Sequence, residues 1–199
     1  MHLIALTGGL ATGKSHVGKM FEKMGGHLIQ ADLLGHHTLL PDGEAYEPVV
    51  ERFGQGILDQ AGLIQRKALA ALVFEHPEKL AELNAIVHPA VHRLKQAITD
   101  PIVAKDPEAI IIVEAAIHIE TGGYKKYEKL ILVVCTLEEQ IRRAMKRDNA
   151  TREEVEARMA RQLSLEEKRK FADYVIDTSG NDVETWHQAV EVYNQIKKL

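Results

Sequence analysis

A glycine-rich segment near the start of the chain constrains the fold more than any other feature. Residues 8–15 have the sequence Gly-Gly-Leu-Ala-Thr-Gly-Lys-Ser, which satisfies the pattern G-x-x-x-x-G-K-[ST]. An apolar run at residues 2–7 precedes it, and a stretch of helical spacing begins at residue 14. A strand, a glycine-rich turn and a helix in this order predict a loop whose backbone N–H groups surround a phosphate at a helix N-terminus.

The residue types within this loop predict separate tasks. Lys14 is expected to reach the β- and γ-phosphates of ATP, and the Ser15 hydroxyl is expected to coordinate Mg²⁺. The candidate nucleotide-binding residues are Gly9, Ala11, Thr12, Gly13, Lys14, Ser15 and His16. The alternative is a glycine turn that precedes Lys-Ser by chance, which the strand before it and the helix after it disfavour.

Short apolar runs alternate with longer stretches of helical spacing along most of the chain. The runs, at residues 2–7, 27–31, 109–115, 129–135 and 174–177, are rich in Ile, Leu and Val and show little polar alternation, as expected for strands covered on both faces. Helical spacing occurs at residues 14–24, 66–98, 137–146, 152–163 and 183–198. This order predicts an α/β fold of the P-loop NTPase type, with three α/β/α layers and a parallel five-stranded sheet.

The alternation of strand and helix is interrupted once, between residues 32 and 108. A long, mostly helical segment replaces a simple crossover there, which indicates a helical substrate-binding insertion. We therefore expect one domain over residues 1–199. Its core covers about 1–32, 108–140 and 172–199, the insertion about 33–107, and a helical lid about 141–171.

Asp32 follows the second apolar run and is a candidate catalytic residue. The carboxyl ends of parallel strands meet at one edge of a sheet, and ligands bind in the crevice there. A carboxylate at this position can accept the proton of an attacking hydroxyl during phosphoryl transfer. The alternative is that Asp32 caps the N-terminus of the following helix, a role that aspartate performs well.

The basic residues concentrate in one segment of an otherwise acidic chain. The formal net charge is −4, yet residues 142–170 contain ten Lys or Arg and six Asp or Glu. Their layout predicts a cationic lid that neutralises transferring phosphate and excludes water. The alternative is a solvated helical face on which Glu153, Glu154 and Glu156 pair with their neighbours.

Composition and charge also exclude several classes of function. A net acidic chain with 5% aromatic residues is not expected to bind nucleic acid. The N-terminal residues contain neither a leader pattern nor an apolar span, so we expect a cytoplasmic protein without membrane association. The single cysteine, Cys135, ends an apolar run and is expected to be a buried, inert thiol. A monomer or a small homo-oligomer is expected.

Four separated motifs together resemble the bacterial dephospho-coenzyme A kinase family over nearly the whole chain. They are Leu6-Thr-Gly-Gly-Leu-Ala-Thr-Gly-Lys-Ser15, Gln30-Ala-Asp32, Leu83-Asn-Ala-Ile-Val-His88-Pro89, and Arg147-Asp148…Arg158…Gln162…Ala172-Asp173-Tyr-Val-Ile-Asp177…Gly180. The resemblance implies transfer of the γ-phosphoryl group of Mg·ATP to the ribose 3′-hydroxyl of dephospho-CoA, giving CoA and ADP. This reaction is the last step of coenzyme A biosynthesis.

The resemblance also implies roles for individual residues. Asp32 matches the aspartate thought to activate the 3′-hydroxyl, and Arg147 resembles the lid arginine that faces the phosphates. The segment from Thr178 to Gly180 resembles the loop beside adenine. The residues expected to bind the acceptor are Asp32, Arg66, His88, Pro89 and Glu120.

The chain departs from the family pattern at three places. Ala11 stands where glycine is usual and is expected to constrain the loop, whereas Gln30 replaces an aspartate and removes a carboxylate. His118 lies in a segment where the family has Pro-Leu-Leu-Phe-Glu, and it is expected to place a polar group beside the acceptor pocket.

Two rival functions remain open at the level of sequence. One is another P-loop nucleoside or nucleotide kinase, because the acceptor pocket is not visible in the sequence. The other is a nucleotide-dependent switch, which the sequence disfavours because it has no N-K-x-D segment for guanine recognition.

Overall fold

A computed structural model describes residues 1–74 and 76–199 of the chain. It contains two compact units. The first combines residues 1–30 with 102–199, and the second consists of residues 31–101. Within the described residues, no helix combines the length and the apolar character that crossing a membrane requires.

The first unit carries all of the β-strands described. Strands β1 to β5 span His2–Gly8, His27–Gln30, Ile110–Glu114, Lys129–Val134 and Tyr174–Asp177. Helices α1 (Lys14–Lys23), α6 (Leu137–Asp148), α7 (Arg152–Met159), α8 (Leu165–Arg169) and α9 (Asp182–Ile196) belong to the same unit, together with a 3₁₀ helix at Gly123–Lys126.

The second unit is helical in the described residues. Its helices are α2 (Ala31–His37), α3 (Tyr46–Phe53), α4 (Arg66–Phe74) and α5 (Pro77–Lys105), whose last turn extends into the first unit. A 3₁₀ helix occupies Gln55–Ile57. Buried apolar residues from α3, α4 and α5 form its core, among them Val49, Leu69 and Ala90.

The five strands form one parallel sheet, as the sequence predicted. Their order, which the sequence did not predict, is β2-β3-β1-β4-β5. This order places β1 at the centre of the sheet, so the loop that follows β1 lies at the middle of the carboxyl edge. A central position at this edge is where α/β proteins bind ligands.

Apolar residues cover both faces of the sheet. On one face, α1 and α9 pack against Ile4, Leu6 and Ile131, with Phe21 of α1 fully buried. On the other face, Ala5 and Leu130 contact Ile119 and side chains near the 3₁₀ helix. Burial on both faces explains why the strand sequences are apolar at nearly every position. Cys135, directly after β4, is also buried, and this burial raises the pKa of its thiol.

Two details differ from the sequence prediction. The helical region predicted at 66–98 forms two helices, and Pro77 begins the second, consistent with the preference of proline for the first turn. Helix α8 was not predicted as a separate element. A capping box marks its start, in which the Ser164 hydroxyl accepts from the Glu167 N–H and the Glu167 carboxylate accepts from the Ser164 N–H.

Candidate active site

The glycine-rich loop leads from β1 directly into α1, as predicted. Gly13 has φ 87°, in the left-handed region that glycine adopts without strain, and its carbonyl begins α1 by accepting from the N–H groups of His16 and Val17. The first N–H groups of a helix have no partner within the helix. The first turn of α1 therefore presents backbone N–H groups and the positive end of the helix dipole at the loop, where an anion is stabilised.

Internal contacts hold the loop in shape. The carbonyl of Gly9 accepts from the Lys14 ammonium at 2.9 Å and from the Thr12 hydroxyl at 3.2 Å. Ala11, which stands where the family has glycine, has φ 56° and so adopts the left-handed conformation. A side chain there costs about 1 kcal/mol relative to glycine.

Residues distant in sequence fix the loop from outside. The Gln140 amide donates to the Leu10 carbonyl at 3.0 Å, and the Thr178 hydroxyl donates to the Thr12 carbonyl at 2.8 Å. Arg143 donates to the hydroxyl and the carbonyl of Thr178, at 2.9 and 2.7 Å. The segment after β5 is therefore tied to the phosphate loop. Gly180, in the same segment, lies beside the carboxylate of Glu184.

A cavity of about 370 Å³ opens at this loop. It is lined by Ala11, Gly13, Lys14, Ser15, His16, Arg143 and Arg147. The structure thus brings five of the predicted loop residues together with the predicted lid arginine, Arg147. Gly9 and Thr12 shape the loop through hydrogen bonds, and Thr178 supports it from the segment that follows β5.

A buried carboxylate lies beside Ser15 at the end of β3. Glu114 is 7% exposed, and its Oε1 accepts from the Ser15 hydroxyl at 2.6 Å. Its Oε2 accepts from the Gln30 amide at 2.9 Å. Gln30 therefore replaces the family's aspartate with a group that donates to Glu114, whereas an aspartate would bring two carboxylates together.

This hydroxyl and carboxylate form a donor set that fits Mg²⁺, which binds hard oxygen ligands. The ion usually keeps several waters and takes few protein ligands beside substrate phosphates. Among the described side chains, no group of three or more His, Cys, Asp or Glu is arranged to enclose a metal.

Arg147 is held by an aspartate at the end of α6. Its Nε and Nη2 donate to Asp148 at 2.7 and 2.9 Å, and Arg158 of α7 donates to the same carboxylate at 2.5 Å. These two guanidinium groups hold the pKa of Asp148 well below its usual range. Basic residues of this segment therefore form ion pairs with acidic residues of the same segment. Arg152 pairs with Glu156 in the same way.

Glu120 contacts protein groups in the first unit. Its Oε1 accepts from the Lys168 ammonium at 2.8 Å and from the N–H of Leu163 at 3.2 Å. Nearby, the ring of His118 is buried and donates through Nε2 to the Val113 carbonyl at 2.9 Å. The role of Glu120 in acceptor binding stays a prediction.

In the second unit, Asp32 lies in the first turn of α2, which begins at Ala31, so Asp32 is not the N-cap residue. Two other polar groups share its surroundings. Arg66 Nη1 lies 3.5 Å from Nδ1 of His36. Burial and the charge of Arg66 lower the pKa of His36, while Asp32 acts in the opposite direction. Asp32, His36 and Arg66 thus form one polar cluster.

His88 and Pro89 lie on α5, and both are exposed. Their role in acceptor binding stays a prediction. Sequence reasoning gave no role to Glu114 or Gln140 and included Arg143 only as one of the basic residues of the predicted lid, whereas the structure places all three at the loop. A usable signal existed for Glu114, because it is the only charged residue in the apolar run 109–115.

A parallel sheet with a Lys-Ser phosphate loop at its centre, facing a cavity with two arginines, defines a P-loop kinase. A family model described as dephospho-CoA kinase matches residues 2–184. The dephospho-CoA kinase of Aquifex aeolicus is 41% identical over 198 residues, which cover 100% of this chain and 99% of that protein.

Two solved structures are also similar to this chain over nearly its whole length. A Thermus thermophilus protein matches with a TM-score of 0.85 and 31% identity, covering 98% of this chain and 96% of that one. The dephospho-CoA kinase from Campylobacter jejuni matches with a TM-score of 0.69 and 28% identity, covering 98% and 97% of the two chains. The chain belongs to the dephospho-CoA kinase family.

Proposed function

We propose that the protein transfers the γ-phosphoryl group of ATP to the ribose 3′-hydroxyl of dephospho-CoA, giving CoA and ADP. The observation that carries the proposal is the pairing of Ser15 with Glu114 beside Lys14, in a chain of this family. Phosphoryl transfer relies on positioning and on neutralising charge, and these groups supply both.

In the proposed reaction, the 3′-oxygen attacks the γ-phosphorus in line with the departing oxygen. The bond between the 3′-oxygen and the γ-phosphorus forms as the bond between the γ-phosphorus and the β,γ-bridging oxygen breaks. ADP leaves with the electron pair of the broken bond. Asp32 accepts the hydroxyl proton. Two observations support this role. Asp32 follows by two residues the end of β2, which carries Gln30. Its exposed carboxylate acts to raise the pKa of His36, whose ring also lies 3.5 Å from Arg66.

Ser15 would hold Mg²⁺ through its hydroxyl oxygen. Glu114 would hold the ion through its carboxylate, either directly or through a water molecule. The ion, when bound, neutralises charge on the β- and γ-phosphates. Lys14 leaves the Gly9 carbonyl to contact the same phosphates, and the loop N–H groups orient them. Arg143 and Arg147 complete the cationic wall of the cavity and are placed to exclude water. Thr178 and Gly180 support the adenine end.

The experiment that tests the function measures ADP release from Mg·ATP with dephospho-CoA, AMP, CMP, uridine or no acceptor. We expect release to depend on dephospho-CoA. Release only with a nucleoside or nucleotide would favour the rival kinase function, and equal release without any acceptor would favour a nucleotide-dependent switch. The cytoplasmic location and the oligomeric state stay predictions.

Glu114→Gln tests the metal role. We expect the Mg²⁺ concentration for half-maximal activity to rise by roughly 10-fold or more, because the neutral amide is a poorer ligand than a carboxylate. Titrating activity with MgCl₂ at fixed ATP measures the shift. Glu108→Gln makes the same change at an exposed position and should leave the titration unchanged. An unaltered midpoint in Glu114→Gln would remove Glu114 from the metal site.

Arg147→Ala tests the lid. We expect turnover to fall at least roughly 10-fold while the dissociation constant for ATP changes little, because the guanidinium acts on charge that develops during transfer. Asp148 keeps Arg158 as a partner in this variant, so the local structure should persist. Arg142→Ala on the same helix is the control. Equal losses of turnover and affinity would assign Arg147 to ground-state binding instead.

A further inference from the structure

A lysine in α8 is fully buried beneath the phosphate loop. Lys168 is 0% exposed, and its ammonium lies 2.8 Å from Glu120 Oε1, 2.8 Å from the Ala116 carbonyl oxygen and 3.4 Å from the Gly8 carbonyl oxygen. Burying an ammonium is costly unless it is paired and hydrogen-bonded. Three oxygens match the three donors of the ammonium, so this site is built around the charge.

Two of the three oxygens around Lys168 are backbone carbonyls at the strand ends that form the nucleotide site. Gly8 ends β1 and opens the phosphate loop, and Ala116 lies two residues beyond Glu114 at the end of β3. The Ala116 carbonyl also accepts from the Thr7 hydroxyl at 3.3 Å. One ammonium therefore connects the loop that cradles phosphate with the segment that carries the candidate metal-binding carboxylate.

Glu120 extends the connection to the returning end of the predicted lid. Besides Lys168, its carboxylate accepts from the N–H of Leu163, which lies between α7 and α8. The predicted lid carries Arg147 near its first end, and its second end is thus fixed to the core. Lys168 and Glu120 together form this anchor.

We propose that Lys168 is a positioning residue for phosphoryl transfer. By holding the Gly8 and Ala116 carbonyls, it sets the peptide orientation at the start of the phosphate loop and the position of Glu114 relative to Ser15. It contacts neither phosphate nor acceptor and acts through these groups. The inference rests on the proposed function, because it assigns the phosphate loop and Glu114 to catalysis.

The test compares Lys168→Met with Lys170→Met, which makes the same change at an exposed position two residues away. We expect Lys168→Met to lower kcat about 100-fold, because small misplacements of catalytic groups have effects of this size. The KM for dephospho-CoA should stay within about two-fold of wild type, since the acceptor is not contacted. Lys170→Met should behave as wild type.

A double variant separates positioning from stability. Lys168→Met leaves Glu120 without its ammonium, so its melting temperature should fall, whereas Lys168→Met with Glu120→Gln leaves no unpaired charge and should regain part of that loss. Turnover at saturating dephospho-CoA, where any weaker acceptor binding from the Glu120 change has no effect, should stay low in the double variant because the carbonyl contacts are still missing. Hydrogen exchange at the amides of residues 8–13 should also be faster than in wild type.

Recovery of turnover together with stability would overturn the proposal, as would wild-type turnover in folded Lys168→Met. If the single variant does not fold, the double variant carries the same test. Wild-type protein is assayed alongside with dephospho-CoA. Its inactivity would overturn the proposed function, whereas an active wild type with an unaffected double variant would overturn only the role of Lys168.

Discussion

Asp32→Asn should lower turnover with dephospho-CoA by about 10²- to 10⁴-fold, the range expected when a general base is lost. The amide keeps the size and much of the hydrogen bonding of the carboxylate but cannot accept the proton of the 3′-hydroxyl. Binding of ATP should be unchanged, because the groups expected to hold its phosphates belong to the glycine-rich loop and do not include Asp32. Steady-state kinetics with both substrates measure turnover, and calorimetry with ATP in the absence of dephospho-CoA measures ATP binding.

The matched control is Asp100→Asn, which makes the same change at an exposed position on α5 of the same unit. It should have wild-type kinetics. Near-wild-type turnover in Asp32→Asn would show that the proton leaves by another route. A large rise in the KM for dephospho-CoA with unchanged kcat would instead make Asp32 a binding residue.

Lys14→Met should lower kcat/KM for ATP by about 10²- to 10³-fold, the cost seen when one donor to a developing anion is removed. Methionine retains most of the side-chain stem, so the loss reports on the charge. The ammonium also donates to the Gly9 carbonyl, and the variant loses that contact, so a small change in melting temperature should accompany the kinetic effect.

Lys19→Met is the control for this prediction, since Lys19 is exposed on the same helix. It should leave both kinetics and melting temperature near wild type. If Lys14→Met retained more than a tenth of wild-type kcat/KM, Lys14 would not be the main cation at the transferring phosphate.

The sequence predicted those features that local patterns encode. Residues 8–15 specify a strand, a turn and a helix within a short stretch, and the apolar runs specify strands covered on both faces, so the order of elements and the parallel sheet followed. The cationic character of residues 142–170 was equally visible. Pairing by the glutamates of α7 was considered, and Arg152 does pair with Glu156. Pairing by Asp148 was not foreseen, because this residue recruits Arg158 from a different helix.

The features that were missed depend on contacts between residues far apart in sequence. Ser15 meets Glu114 across 99 positions, and Lys168 meets the Gly8 carbonyl across 160. Glu114 carried a local signal, as the only charge within an apolar run, but that signal does not identify its partner. A lysine among charged neighbours suits an exposed position when only those neighbours are considered. Folding brings these two buried charges together with partners that offset the cost of burial.

The most direct test of the account identifies the product. Wild-type protein is incubated with Mg·ATP and dephospho-CoA, and the product is analysed by ³¹P nuclear magnetic resonance and mass spectrometry. The account predicts one added phosphate monoester, with phosphorus coupled to the ribose H3′, in an amount equal to the ADP released. A phosphate at any other position, or ADP released without a phosphorylated acceptor, would contradict it.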